Sequence, residues 1–285
     1  MIIKNDKQFN MFPSHDGLRK YILYYNIVFP EKDTFMPQYT LMPNACGTLS
    51  LAFNGTSIIA ELWGASATPV LLGAEPNSYH VLLLVQLSPY GLYQITRQSQ
   101  AEFTDKRLSL ADIDNELFNS LYQAFVTSKT VIDLVNTCDR ILYRRMEKCV
   151  ISDSLLLATK VISDSNGRVQ VNEVARQSNY SERQLNRLFL TQIGMNIKNY
   201  ARITRFNYVL RHIQKSPCLF AALSQQAGYF DQAHFDKDFK SISGVTPEAY
   251  LKTMSDFYYD GSEIFNTISS KEEREDEISR LSFSG

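Results

Sequence analysis

Residues 229–250 read Y-F-D-Q-A-H-F-D-K-D-F-K-S-I-S-G-V-T-P-E-A-Y. Asp231 can cap a helix start, because its carboxylate accepts from the free backbone N–H groups of the first turn. Phe235, Phe239 and Ile242 then recur at helical spacing and give one apolar face. Gln232, Ala233, Asp236, Lys237 and Lys240 fall largely off that stripe. Gly244 can end the helix in the left-handed conformation, and Thr246-Pro247 starts another, with Pro tolerated at the first helical position. Upstream, residues 219–226 read as a short helix and Gly228 supplies a tight turn. A short helix, a glycine turn and a second helix with a polar face predict a helix-turn-helix.

The pattern occurs a second time, fifty residues earlier. Ser181, Leu185, Phe189, Gly194 and Tyr200 correspond to Asp231, Phe235, Phe239, Gly244 and Tyr250, and Ala175 corresponds to Ser224. Ser181-x-x-Gln184 is a capping-box pattern, in which two side chains satisfy each other's backbone donors. Residues 151–165 and 171–178 are expected to be the first helices of this region. Asn166-Gly167 should end the first, and Asn179 should take a left-handed turn. Residues 197–214 should form a long helix joining the two units, and Ser216-Pro217 should break it.

Residues 155–252 resemble the DNA-binding domain of AraC/XylS-type bacterial transcription regulators. The matching words are Val174-Ala175, Tyr180-Ser181, the run from Arg183 to Phe189, Gly194, Tyr200, Arg205, Leu210, Gly228-Tyr229, Asp231-Gln232, His234-Phe235, Phe239-Lys240, Gly244, Thr246-Pro247 and Tyr250. Two departures stand out: Ser224 where the family usually has Ala, and Phe230 where a polar residue is common. The resemblance implies a sequence-specific transcription regulator, usually an activator that contacts RNA polymerase, with a β-barrel or cupin-like sensor ahead of the DNA-binding part.

The charge distribution agrees with that reading. The 285 residues carry a net −1, but residues 155–255 hold 13 basic and 7 acidic side chains, while residues 256–285 hold 3 and 8. A basic block coinciding with the helix-turn-helix block is what phosphate binding needs; a merely solvated basic face is the bland alternative. The acidic tail, with Phe257-Tyr258-Tyr259 before it, lacks a long apolar stripe.

The first half reads as β structure. Residues 21–29, 47–54, 56–63 and 79–87 are apolar runs or alternations, with Pro43-Asn44 as a turn signal and Asn54-Gly55 as a two-residue hairpin signal. Residues 1–20 are polar and give no clear element, with Phe12-Pro13 and His15-Asp16-Gly17 reading as loop. Residues 92–97 are strand or short helix, and 109–113 read as loop. Two amphipathic helices are expected over 115–127 and 130–149; in the family such helices often pair two subunits, which implies a homodimer. The expected class is therefore α+β: a β-rich sensor over 1–110, a helical linker or dimerisation segment over 111–150, an all-α domain of two helix-turn-helix units over 151–255 and an acidic tail over 256–285.

In a major groove, the outward side chains of a recognition helix's first two turns meet base edges. Arg183, Asn186 and Arg187 are the candidates in the first unit, and Gln232, Ala233, His234, Asp236 and Lys237 in the second. Arg can bridge guanine O6 and N7, and Asn adenine N6 and N7. His234 could equally be a packing residue, and Arg187 could pair with Glu182. Arg168, Lys198 and Lys240 are candidates for phosphate, while Arg205 should be buried and paired within the linking helix. An enzyme is not expected. His15, His80, His212 and His234 make no metal-ligand spacing, and no nucleophile or phosphate-loop motif occurs. No cofactor is implied. The four cysteines are scattered, no apolar run would span a membrane, and a cytoplasmic location fits. The competing reading is a protein-interaction adaptor that keeps the fold without DNA affinity. The expected partners are double-stranded promoter DNA and an effector of unknown identity.

Overall fold

A computed structural model describes residues 4–5, 9–215 and 220–253. Expectations placed on Ser216-Pro217, on Phe257-Tyr258-Tyr259 and on the acidic tail lie outside these residues. The strands are β1 (Lys4–Asn5), β2 (Phe9–Pro13), β3 (Ile22–Val28), β4 (Thr40–Leu41), β5 (Thr48–Phe53), β6 (Ile58–Trp63), β7 (Val70–Leu71), β8 (Val81–Leu87) and β9 (Arg107–Ser109). Seven of them form one antiparallel sheet in the order β1-β2-β3-β8-β5-β6-β9, and β4 pairs with β7. The expected α+β class holds. The sheet is open, however, with β1 and β9 as its outer strands, and the short β4–β7 ribbon stands apart from it.

Alternation gives the sheet two different faces, because successive side chains point to opposite sides. Ile27, Leu49, Leu51, Leu62, Leu83 and Val85 lie on one side and are fully buried in the main core. On the other side, registered cross-strand rows carry polar groups. Asn26, Leu84, Ser50 and Glu61 form one row, and Tyr24, Gln86, Thr48 and Trp63 the next.

Local expectations needed three corrections. Phe12-Pro13 is strand rather than loop: Pro13 sits at the end of β2 opposite Tyr24, a position where the missing N–H is tolerated. Asn54-Gly55 is not a two-residue hairpin, since Phe53 pairs with Ile58 and four residues connect the strands. The Asn54 side chain holds that loop by accepting from the amides of Thr56 and Ser57 at 3.1 and 2.9 Å. Residues 107–113 are strand β9 followed by a helical turn, because the edge of β6 offers β9 unpaired backbone groups and Ser109 then caps the turn.

Helices α1 (Gly91–Thr96), α2 (Leu110–Ile113), α3 (Asn115–Thr127) and α4 (Val131–Met146) follow the sheet. Residues 92–96 thus resolve to helix, and Arg97 ends it in the left-handed conformation at φ 57°. Leu117, Leu121 and Phe125 of α3 and Leu134, Cys138 and Leu142 of α4 join the buried cluster beneath the sheet. A polar joint crosses this interface. The Tyr25 hydroxyl on β3 donates to Asp139 Oδ1 on α4 at 2.7 Å, and the His15 amide donates to Asp139 Oδ2 at 3.0 Å. Burial pushes the Asp139 carboxyl up, against these two hydrogen bonds.

The remaining helices are α5 (Asp153–Asp164), α6 (Val171–Gln177), α7 (Glu182–Gln192), α8 (Ile197–Lys215), α9 (Phe220–Gln226), α10 (Gln232–Ser243) and α11 (Pro247–Thr253). Their apolar faces merge into the same cluster, which includes Leu185, Phe189, Phe206, Val209, Phe235 and Phe239. Gly167 must be glycine: at φ 73°, a Cβ would lie 2.0 Å from the Ala201 carbonyl of α8. The sheet region and the helical region touch where Thr104 Oγ1 donates to the Gly194 carbonyl at 2.6 Å.

Replacing Asp139 with alanine leaves a buried tyrosine hydroxyl and a backbone amide without their acceptor. The expected cost is about 1–3 kcal/mol, read as a lower urea midpoint at unchanged m-value. An unchanged midpoint would show that the joint between β3 and α4 contributes nothing.

Candidate nucleic-acid interface

The two recognition helices begin with satisfied caps. At α7, Ser181 Oγ accepts from the Gln184 amide at 3.3 Å while Gln184 Oε1 accepts from the Ser181 amide at 3.1 Å, completing the capping box. At α10, Asp231 Oδ1 accepts from the His234 amide at 2.7 Å. The turns that aim these helices use left-handed residues, Asn179 at φ 58° and Gly228 at φ 77°. Each helix buries phenylalanine or leucine on one side, Leu185 and Phe189 in α7 and Phe235, Phe239 and Ile242 in α10.

Arg183 and Arg187, one turn apart on α7, are exposed. Among the described ion pairs none joins Arg187 to Glu182. Gln232, Ala233, His234, Lys237 and Lys240 are exposed along α10, and Lys198 is exposed in the first turn of α8. His234 combines its two readings, since its ring is exposed but meets Tyr229 edge-on at 5.4 Å. Asp236 is half-buried. Burial, and then the nearby Glu248, push its carboxyl up against a hydrogen bond from Gln232. Its Oδ1 is buried without a hydrogen-bond partner.

Two of the expected DNA contacts also bond within the protein. Asn186 is half-buried, and its Oδ1 accepts from the Ile197 amide at 3.1 Å. That bond satisfies an otherwise orphaned donor at the start of α8, so the Asn186 carbonyl oxygen braces α7 against α8. Arg168 donates from Nε to the Ser165 carbonyl at 3.0 Å and from a terminal nitrogen to the Gln226 carbonyl at 3.3 Å. It therefore ties the loop of the first unit to the end of α9 in the second. Arg205, expected to be paired inside the linking helix, is half-buried and donates to the Gly167 carbonyl at 2.9 Å, with its guanidinium 5.3 Å from the Tyr229 ring.

One exposed group was noted in the sequence only as a departure. Phe230, immediately before the α10 cap, is 89% exposed. Its neighbour Tyr229 takes the buried place in the turn, and the unusual apolar residue at a position that is commonly polar was the available signal. Asp238, also on α10, is turned inward onto Arg202 at 2.6 Å.

A second candidate site lies on the polar face of the sheet. A cavity of about 920 Å³ is floored by Tyr24, Asn26, Ser50 and Gln86 and reaches Val245 and Tyr250 of the second unit. Asn26 Oδ1 is buried there with no hydrogen-bond partner. Burial, and then Tyr250, push the Tyr39 hydroxyl up to about 12. At the rim, Arg107 lies 4.3 Å over the Trp63 ring and binds Glu61 and Glu75 at 2.9 and 3.4 Å. Among the described residues no group of three or more His, Cys, Asp or Glu side chains could hold a metal ion, and no helix is long and apolar enough to cross a membrane.

Residues 174–253 match the family model described as a helix-turn-helix domain. The C-terminal region is an AraC-type helix-turn-helix domain. The chain is 29% identical over 102 residues to the HTH-type transcriptional activator RhaR of Salmonella dublin, covering 35% of this chain and 36% of that protein. It is 34% identical over 83 residues to RhaR of Salmonella arizonae, covering 28% and 29%. The chain thus spans about a third of the length of these curated relatives. Among solved structures it is similar to the C-terminal domain of AraT, a response regulator from Geobacillus stearothermophilus, at TM-score 0.34 and 23% identity over 38% of this chain and 93% of that one. Similarity to ToxT from Vibrio cholerae reaches TM-score 0.40 at 11% identity, over 84% and 99%.

Within the AraC-type domain, an arginine that bridges a guanine edge differs from a lysine that meets phosphate. Arg183→Ala is expected to lose discrimination at one base position, at a cost of about 1–3 kcal/mol. Lys198→Ala should weaken all sequences alike and lower the salt slope by about one. Binding titrations on a panel of single-base variants at several salt concentrations check both. Equal losses across the panel for Arg183→Ala would remove it from the base readers.

Proposed function

We propose that this protein is a cytoplasmic, sequence-specific DNA-binding transcription regulator of the activating kind, whose two AraC-type units read one asymmetric promoter site. The observation that carries the proposal is the pair of capped helices α7 and α10, each exposing cations on the side opposite its buried face, joined by the single helix α8. Arg183 and Arg187 read bases in the first block. Gln232, Ala233, His234, Asp236 and Lys237 face the second, while Lys198 and Lys240 hold phosphate. Helices entering successive major grooves meet blocks about 34 Å apart. Phe230 adds an apolar tip at the start of α10, suited to a thymine methyl group.

The sheet region acts as the sensor. Its cavity sets the hydrogen-bonding groups of a polar floor among apolar lining residues such as Phe35, Met42 and Val70, the usual composition of a small-molecule site. Val245 and Tyr250 belong both to the cavity wall and to the second unit. An effector with different affinity for the docked and released positions of that unit would shift DNA binding by that difference. Helices α3 and α4 pair two subunits, and the DNA-bound form contacts RNA polymerase.

Selection of bound sequences from a random duplex pool, with the full chain at near-physiological salt, tests the proposal. An asymmetric motif with two blocks one helical turn apart is the expected result, and a tandem repeat of it would report the dimer. No enrichment, together with binding that does not fall as salt rises, would refute DNA reading, because neutralised phosphates must release counterions. Phe230→Ser should leave the thermal midpoint unchanged, since the ring is exposed, and should weaken the preference for thymine at one position of the second block by about 1–3 kcal/mol. The same selection run on that variant shows whether the preference survives.

A further inference from the structure

Asp238 lies on α10 three residues after Phe235 and three before Ser241, on the flank that faces α8 rather than on the outward side held by Ala233, Lys237 and Lys240. Both of its carboxylate oxygens are used. Oδ1 accepts from Arg202 Nε at 2.6 Å, and Oδ2 accepts from the Tyr229 hydroxyl at 2.9 Å. A terminal nitrogen of Arg202 also donates to Ser241 Oγ, so one guanidinium grips α10 at two points a helical turn apart. Burial and the adjacent Asp238 push the Tyr229 hydroxyl well above its ordinary range, which keeps it a donor.

The network continues across the molecule. The Tyr229 ring faces Arg205, which donates to the Gly167 carbonyl in the first unit. Arg168 closes the circuit by joining Ser165 of the first unit to Gln226 of the second. Apolar contacts between α8 and α10, such as Phe206 with Phe239 at 5.1 Å, are non-directional and leave α10 able to roll. A two-point guanidinium grip with defined hydrogen-bond directions does not.

We infer that Asp238 is a positioning residue that fixes the rotation of the second recognition helix against α8, and through it the separation of the two DNA blocks this protein accepts. The inference rests on the two-unit reading proposed above. Each base pair inserted between blocks turns the second block by about 34–36° around the duplex and moves it along the axis. A helix held at one angle therefore tolerates one spacer, and a helix free to roll tolerates several.

The test is selection from a duplex pool in which both blocks are fixed at the sequences preferred by the full wild-type chain and the spacer varies in length. Wild type should select one spacer. Asp238→Asn should bind that spacer about tenfold more weakly and accept neighbouring lengths nearly equally, with base preference in the first block unchanged. The charge exchange Arg202→Asp with Asp238→Arg should restore the single spacer, and Asp238→Glu should restore it in part. Thermal midpoints measured alongside identify any variant that fails to fold, and the exchange variant carries the test in that case. An unchanged narrow spacer preference in Asp238→Asn would overturn the inference. So would a uniform loss over all spacers that the charge exchange does not repair. Absence of any two-block motif for wild type would instead sink the two-unit reading itself.

Discussion

Helix α8 has to be part of two cores at once, and most of the helical region follows from that requirement. Phe206, Val209, Leu210 and Ile213 are buried along it, and two of its arginines are claimed, one by each unit. Arg205 reaches the Gly167 carbonyl of the first, and Arg202 reaches Asp238 of the second. Gly167 permits the close approach, because any Cβ there would collide with the α8 backbone. A helix is stiff over this length, so its two ends cannot be adjusted independently. A change that repacks one unit is carried to the other as a change of angle.

The sheet solves a different problem with one alternation. Its buried side is a continuous apolar surface under α3 and α4, and its other side presents Tyr24, Asn26, Ser50, Gln86 and Glu61 in rows. A face with that many polar groups cannot serve as an ordinary core, because each buried polar atom needs a partner. Some find one inside the protein: Trp63 Nε1 donates to Ser50 Oγ at 3.0 Å, and Gln86 donates to the Gly47 carbonyl at 3.2 Å. Asn26 Oδ1 does not. The cavity and its polar floor are two aspects of one fact, that this face was never packed shut.

Much of this was legible before any coordinates. The two capped helices, the glycine turns and the long linking helix come from local chemistry, namely caps, φ-positive residues and helical spacing, and local chemistry is what a sequence states directly. The openness of the sheet was not legible, since alternation in β5 and β6 is the same whether the strands close into a barrel or stop at β9. Strand β9 and the turn after it were invisible for a related reason. Arg107, Leu108 and Ser109 form a strand because β6 has a free edge beside them, and an edge is a tertiary object.

The candidate site shows where residue type stops being informative. Arg168, Arg183, Arg187, Arg202 and Arg205 are chemically identical, and three of the five are spent on carbonyls or on Asp238. What separates them is whether a helix end or a carboxylate lies within reach of a side chain about one turn long. Arg183 and Arg187 lie on the exposed side of α7, away from the buried Leu185 and Phe189. Asn186, only one residue from Arg187, points to the opposite flank and meets the unsatisfied start of α8. Spacing along a helix predicts the face a residue occupies. Whether that face looks at solvent or at the end of another helix depends on the packing of the two units, and that packing decides which cations remain for DNA.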